Sequence, residues 1–213
     1  PVRRFMTHVE RSPAACTSAA TLLAGLLEAF TERIADLLER VQMELDAVSL
    51  TIFPRSNGAS ASNRDLHAMI QKIGVNGDLI SKARESLVSF QRLLMYVQQA
   101  TNVSLSQDQR GRFKSTLRDV QSLSDHASFL GNKVQFLLDA VLGLINLEQN
   151  NIIKIFSVAA VMFLPQTLVA SIYGMNFQFM PELDEHWGYP MALLAMVVSA
   201  VIPYIYFRRK GWL

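Results

Sequence analysis

Apolar residues recur at alternating steps of four and three along the first three quarters of the chain. Leu23, Leu27, Phe30, Ile34, Leu37 and Val41 keep this spacing, which slips once at Leu45 and resumes at Val48 and Ile52. A seam of this period marks an amphipathic helix that packs against other helices with a left-handed twist. Ser12-Pro13 reads as its N-cap followed by proline at the first helical position. Pro54 and the run Ser56-Asn57-Gly58-Ala59-Ser60 end it in a loop. A second helix is expected over about residues 63–100, with a kink or short break at Gly74 and Asn76-Gly77. Two long helices joined by a short polar loop form an antiparallel hairpin. No alternating strand pattern interrupts them, so the fold class is all-α.

A third periodic stretch opens at Ser106 and Gln109, which fit a capping box. Phe113, Leu117, Val120, Leu123, Ala127, Leu130, Val134, Leu137, Val141 and Leu144 follow at close to 3.5 residues. No proline lies between residues 131 and 155, so the helix is expected to run on into the apolar region beyond. One helix over about residues 107–173 would be about 100 Å long at 1.5 Å per residue. On this reading it cannot bury its seam alone, and copies of itself around an axis form a homo-oligomeric stalk. The chain thus divides into a helical hairpin (1–106), a stalk helix (107–150) and a membrane domain (151–213).

Residues 155–173 and 188–207 contain no Asp, Glu, Lys or Arg. A hydrocarbon core needs about 20 apolar residues of helix, and both stretches reach it. A soluble protein would need a large globular domain to bury two such helices. The expected spans are about 152–173 and 190–207, joined by an outer loop (174–189) and followed by a basic tail (208–213). Lys154 precedes the first span and Arg208, Arg209 and Lys210 follow the second, while the loop has no Lys or Arg. The positive-inside rule then places both termini in the cytoplasm and the loop outside, in an inner (plasma) membrane. Tyr173, Phe177, Phe179, Trp187 and Tyr189 form one aromatic belt; Tyr204, Tyr206, Phe207 and Trp212 form the other. Lys154 is expected to snorkel to the interface, and the basic tail to meet anionic headgroups.

A formal net charge of +2 over 213 residues argues against nucleic-acid binding by bulk charge. Cys16 is the single cysteine, which excludes an internal disulfide framework and a cysteine zinc cluster. His8, His67 and His126 are too scattered for a metal site, and His186 has no partner nearby in sequence. No phosphate-cradling glycine loop, nucleophile elbow or paired-histidine motif occurs, so nothing supports an enzyme or a bound cofactor. The chain opens on Pro1 rather than Met, which raises the expectation of further sequence upstream.

Continued into the first span, the 3.5-residue period selects Asn150, Ser157, Leu164 and Ser171, interleaved with Ile153, Ala160, Thr167 and Gly174. This stripe is smaller and more polar than the faces carrying Ile152, Ile155, Val158, Val161, Phe163, Val169 and Ile172. Small and hydroxyl residues serve tight helix contact in lipid, or line a central water-filled path. The stripe by itself does not choose. A symmetric ring of stalks favours the path, because it puts one identical stripe on the axis. Asn150 would then offer amide oxygens at the cytoplasmic end. Ile153, Leu164 and the slightly off-period Phe156 would form apolar constrictions, and Thr167 and Ser171 would present hydroxyls toward the outer mouth. With no carboxylate in the span, a divalent cation would pass with most of its water shell, which suits magnesium. Glu182, Asp184 and Glu185 make the outer loop acidic, either as a cation-concentrating ring or as ordinary solvated charge.

The span ends in Tyr173-Gly174-Met175-Asn176-Phe177, where Gly174 allows a turn and Asn176 offers an amide oxygen to a cation or its waters. Met180-Pro181-Glu182-Leu183, Gly188-Tyr189-Pro190 and a basic tail ending in Trp212-Leu213 follow. Over about residues 150–213 this resembles the CorA family of divalent cation transporters, of the two-span superfamily with a Gly-Met-Asn signature. The hairpin and stalk agree with it in pattern only. The resemblance implies a funnel-shaped homopentamer with five first spans around the pore, passing magnesium and accepting cobalt or nickel. It implies that Gly174, Met175 and Asn176 form the outer selectivity ring, with Asn176 meeting hydrated magnesium through water. It matches Asn150 to the family's cytoplasmic pore asparagine, Thr167 to its mid-pore threonine and Pro165 to its first-span proline. The family's N-terminal α/β domain and the regulatory metal sites beside it have no counterpart in these residues. A zinc-transporting branch shares the topology, so zinc is the alternative ion. A non-conducting, membrane-anchored coiled-coil scaffold is the alternative of a different class.

Overall fold

The structure, a computed structural model, describes residues 2–11, 18–54, 63–99, 105–175, 180–181 and 186–212, with the side chains of residues 4, 8, 11, 63 and 64 outside this set. The described residues form five helices: α1 (Val2–Arg11), α2 (Ala19–Ile52), α3 (Asn63–Gln99), α4 (Gln107–Tyr173) and α5 (Gly188–Arg209). The all-α class is as expected. The chain separates into two units, Pro1–Gly143 and Leu144–Leu213, with α4 running through the boundary as one helix of 67 residues.

The first unit is a bundle of α2, α3 and the first part of α4. Its core is a heptad seam on each helix. On α2 the buried positions are Ala24, Leu27, Thr31, Leu38, Val41, Leu45, Val48 and Ile52. The slip expected at Leu45 is absent, because the seam passes through Thr31 and Leu38 rather than Phe30 and Leu37. A threonine is tolerated there since its Oγ1–H donates to the Leu27 carbonyl at 2.8 Å. On α3 the buried set is Leu66, Met69, Ile73, Asn76, Ile80, Ala83, Leu87 and Leu94. The break expected at Gly74 and Asn76-Gly77 does not occur: α3 is helical throughout. Asn76 is a core residue whose Nδ2 donates to Glu44 Oε2 at 3.1 Å. Gly77 lies where α3 meets α4, so that a Cβ there would stand 3.3 Å from Val134 Cγ1. Tertiary packing has overridden two poor helix formers.

On α4 the residues Phe113, Val120, Ala127, Leu130, Leu137 and Val141 are fully buried. This corrects the stalk argument. The seam needs no second copy, because the hairpin of the same chain covers it. Polar clamps fix the register. Arg112 donates Nε–H to Glu28 Oε1 at 3.0 Å and Nη2–H to Oε2 at 2.5 Å, and this bond raises the Arg112 guanidinium pKa above its ordinary value. Lys133 pairs with Asp46, and Phe53 stacks on Phe136 at 6.0 Å.

Helix starts are set by side-chain caps. The Ser106–Gln109 box forms in both directions, at 3.0 and 3.3 Å. Gln109 Nε2 also donates to Ser18 Oγ and Thr21 Oγ1, tying the start of α4 to the start of α2. Ser18 is the N-cap of α2, accepting from the Thr21 N–H. Ser12-Pro13, the cap expected from the sequence, lies outside the described residues. Helix α1 was not anticipated; its Phe5 lies against Gly25 of α2.

Candidate functional site

In the second unit, the last turns of α4 and all of α5 are long and apolar enough to cross a membrane, and few of their residues are buried by the chain itself. Both carry an internal proline, Pro165 and Pro203. A proline removes one backbone donor, so Val161 and Ser199 each lose the bond that residue i+4 ordinarily returns. Polar side chains work on the same turns: Gln166 Nε2 donates to the Met162 carbonyl at 3.0 Å and Ser199 Oγ to Met196 O at 2.8 Å. Self-bonding of this kind lets Gln166 and Ser199 reside in an apolar span.

The two faces of the α4 span differ. Lys154, Val158, Ala159, Met162, Pro165, Gln166 and Val169 are its less exposed positions, and at about 100° per residue they fall on one side of the helix. That face carries Lys154, whose Nζ donates to the Gly211 carbonyl at 3.4 Å and lies 5.6 Å from the Trp212 ring centroid. The start of the first span and the end of the second therefore lie together. Every described position of the polar stripe falls away from this face. Asn150, Ile153, Phe156, Ser157, Ala160, Leu164, Thr167 and Ser171 are all exposed, with Ile153 at 62%, Phe156 at 71% and Leu164 at 66%. The side chains proposed from sequence thus share a continuous surface that α5 leaves open. Thr167 adds a refinement, since its Oγ1–H donates to Phe163 O at 2.8 Å. The proton is spent within the helix, and the oxygen that remains is an acceptor, the polarity a cation or its waters require.

At the end of α4, Gly174 N–H donates to Ala170 O at 2.9 Å and Met175 N–H to Ile172 O at 3.3 Å. Gly174 therefore prolongs the helical bonding pattern and does not take a positive φ. Asn176, Glu182, Asp184 and Glu185 lie outside the described residues. Among the described residues no group of three or more His, Cys, Asp or Glu is placed to hold a metal.

The feature that sequence reasoning missed is the tail. Gly211 adopts φ +67, a left-handed conformation suited to glycine, and Trp212 N–H returns to the Phe207 carbonyl at 3.0 Å. The indole ring stacks on Phe207 at 5.5 Å and meets Lys154 and Lys210. Gly211 next to the basic run was a readable C-cap signal, but nothing in the sequence pairs residue 154 with residue 212.

Comparison with known proteins gives this arrangement a context. The model of the CorA-like Mg2+ transporter protein family matches residues 1–209. The magnesium transport protein CorA of Haemophilus influenzae (strain Rd) is 44% identical over 198 residues, covering 93% of this chain and 60% of that protein. That of Mannheimia succiniciproducens is 42% identical over 196 residues, covering 92% and 60%. The chain thus spans about 60% of the length of these relatives. Among solved structures, the CorA magnesium transporter of Methanocaldococcus jannaschii superposes with a TM-score of 0.78 at 20% identity, covering 100% of this chain and 65% of that one. The last comparison speaks for the fold. The family match over nearly the whole length, on a chain with two helices long and apolar enough to cross a membrane, places it in the family of CorA-like Mg2+ transporter proteins.

Proposed function

We propose that this chain is the helical and membrane part of a homo-oligomeric pore that passes magnesium across a membrane. The observation that carries the reading is the open face of the α4 span. Asn150, Ser157, Thr167 and Ser171 are exposed on it while α5 occupies the other side. Facing lipid, such groups gain nothing; facing an axis shared by copies, they contact water. A pentamer, as the family resemblance implies, would turn each position into a ring. Ile153, Phe156 and Leu164 would be the apolar constrictions, and Gly174, Met175 and Asn176 the outer selectivity ring. The ion would keep most of its waters, with Thr167 and Asn176 oxygens accepting from them. Magnesium is the first candidate because the curated relatives are magnesium transport proteins. Cobalt and nickel follow from the resemblance, and zinc is the competing substrate. Both termini would lie in the cytoplasm, with Glu182, Asp184 and Glu185 drawing cations to the mouth.

Proteoliposomes loaded with a magnesium-sensitive dye test this. The expected outcome is saturable magnesium entry that Asn176→Ala lowers at least about tenfold, the loss of one filter contact being worth roughly 1.4 kcal/mol or more. Flux through Asn176→Ala equal to that of the parent sinks the filter assignment. Absence of flux for every divalent ion, zinc included, in correctly inserted protein sinks the pore and leaves the scaffold.

A further inference from the structure

Trp212 is held in an unusual charge environment. Lys154 Nζ lies 5.6 Å and Lys210 Nζ 5.0 Å from its ring centroid, while Phe207 stacks on it at 5.5 Å. Two ammonium groups on one indole are no farther apart than the sum of those distances, and they repel. Each gains from the ring quadrupole, yet no described carboxylate offsets the repulsion. Among the described residues Lys154, Arg208, Arg209 and Lys210 form no salt bridge. Lys154 gives one proton to the Gly211 carbonyl and has two donors left. The Trp212 indole N–H makes no hydrogen bond to the described residues, and the residue is 39% exposed. Among the described residues the cluster is thus a set of convergent donors with a net positive charge and no anion beside it. It sits where the first span begins and the second ends, at the level where an amphipathic indole meets headgroups.

We propose that the Lys154, Lys210 and Trp212 cluster is a binding site for the phosphate of an anionic membrane lipid. The phosphate oxygens accept from the two ammonium groups and the indole N–H, while the acyl chains lie along the apolar outer faces of α4 and α5. The left-handed turn at Gly211 builds the site, because it swings Trp212 back beneath Phe207 and over Lys154. A bound lipid would then tie the tail of the second span to the base of the first. Fixed geometry distinguishes this from diffuse attraction of a basic tail to an acidic surface. Lys154 and Lys210 touch the ring; no contact of Arg208 or Arg209 with the ring is found among the described residues.

The test makes Trp212 its own reporter. In a Trp187→Phe background it is the sole tryptophan. The full chain is reconstituted in phosphatidylcholine vesicles containing brominated lipid, either phosphatidylglycerol or phosphatidylcholine at equal mole fraction, and quenching is titrated. The expected result is a preference of about fivefold or more for brominated phosphatidylglycerol, the size one basic residue contributes at an anionic surface. Lys154→Gln with Lys210→Gln should abolish that preference and Lys154→Arg should keep it. Removing an equal number of charges by Arg208→Gln with Arg209→Gln should leave most of it. Equal quenching by the two lipids overturns the proposal. So does an equal loss in the lysine and arginine double variants, since the effect would then be surface charge alone.

Discussion

At Asn76 a polar amide occupies a position that the repeat otherwise gives to aliphatic side chains. It is 1% exposed and its Nδ2 donates to Glu44 on the neighbouring helix. Such a residue costs core packing but fixes the register of two helices, since the bond exists in one alignment only. Asn76→Ala should therefore lower stability by about 1–3 kcal/mol, from the lost bond and the space left behind. Asn76→Leu should cost much less, because the partly buried Glu44 regains water while the core gains an apolar side chain. Urea unfolding of the detergent-solubilised chain measures both; equal losses would show that the hydrogen bond is not what matters. Thr31 and Thr116 are the companion cases. Both are buried and both donate their hydroxyl to a carbonyl one turn earlier, Leu27 and Arg112. None of the three is legible as core from its residue type, which is why the α2 seam looked interrupted at Leu45.

At the scale of an element, α3 carries two glycines three residues apart with opposite environments. Gly74 has no neighbour within 4 Å of an added Cβ, whereas Gly77 has Val134 Cγ1 at 3.3 Å. Gly74→Ala should stabilise the bundle by about 0.5–1 kcal/mol through helix propensity alone. Gly77→Leu should destabilise it by about 1–3 kcal/mol through overpacking, and Val134→Ala in the same chain should recover part of the loss. Thermal unfolding followed by circular dichroism reads all three. A stabilising Gly77→Leu would mean that α3 and α4 are not in close contact at this level. The sequence flags both glycines as helix breakers; only the packing separates a tolerated glycine from a required one. The capping box at Ser106 and Gln109 shows the reverse. It is entirely local, and it formed as read.

For the whole molecule the decisive surface is the face of the α4 span that α5 leaves open. If copies surround an axis there, cysteines placed on it will meet those of neighbouring copies. In a Cys16→Ser background, Ala160→Cys and Thr167→Cys should form intermolecular disulfides under mild oxidation in membranes. Val158→Cys should not, since Val158 is 4% exposed within the chain. Gel mobility under non-reducing conditions separates the outcomes. Linked species as abundant from residue 158 as from residue 160 would assign the wrong face to the interior. The stalk seam itself calls for no neighbouring copy, because the chain buries it without help.

Periodicity by itself determined the helix class, the hairpin, the unbroken passage of α4 into the first span and the two apolar spans. All of these depend on spacing along one helix, which the order of residues encodes directly. The stripe from Asn150 to Ser171 was equally legible as a face, though not its surroundings. Only the tertiary structure decided that the hairpin covers the α4 seam, that Asn76 and Thr31 belong to the core, and that α5 lies opposite the stripe. It alone brought Trp212 onto Lys154. These are pairings between residues distant in sequence, selected by which surfaces exclude water together, and no local period carries that information.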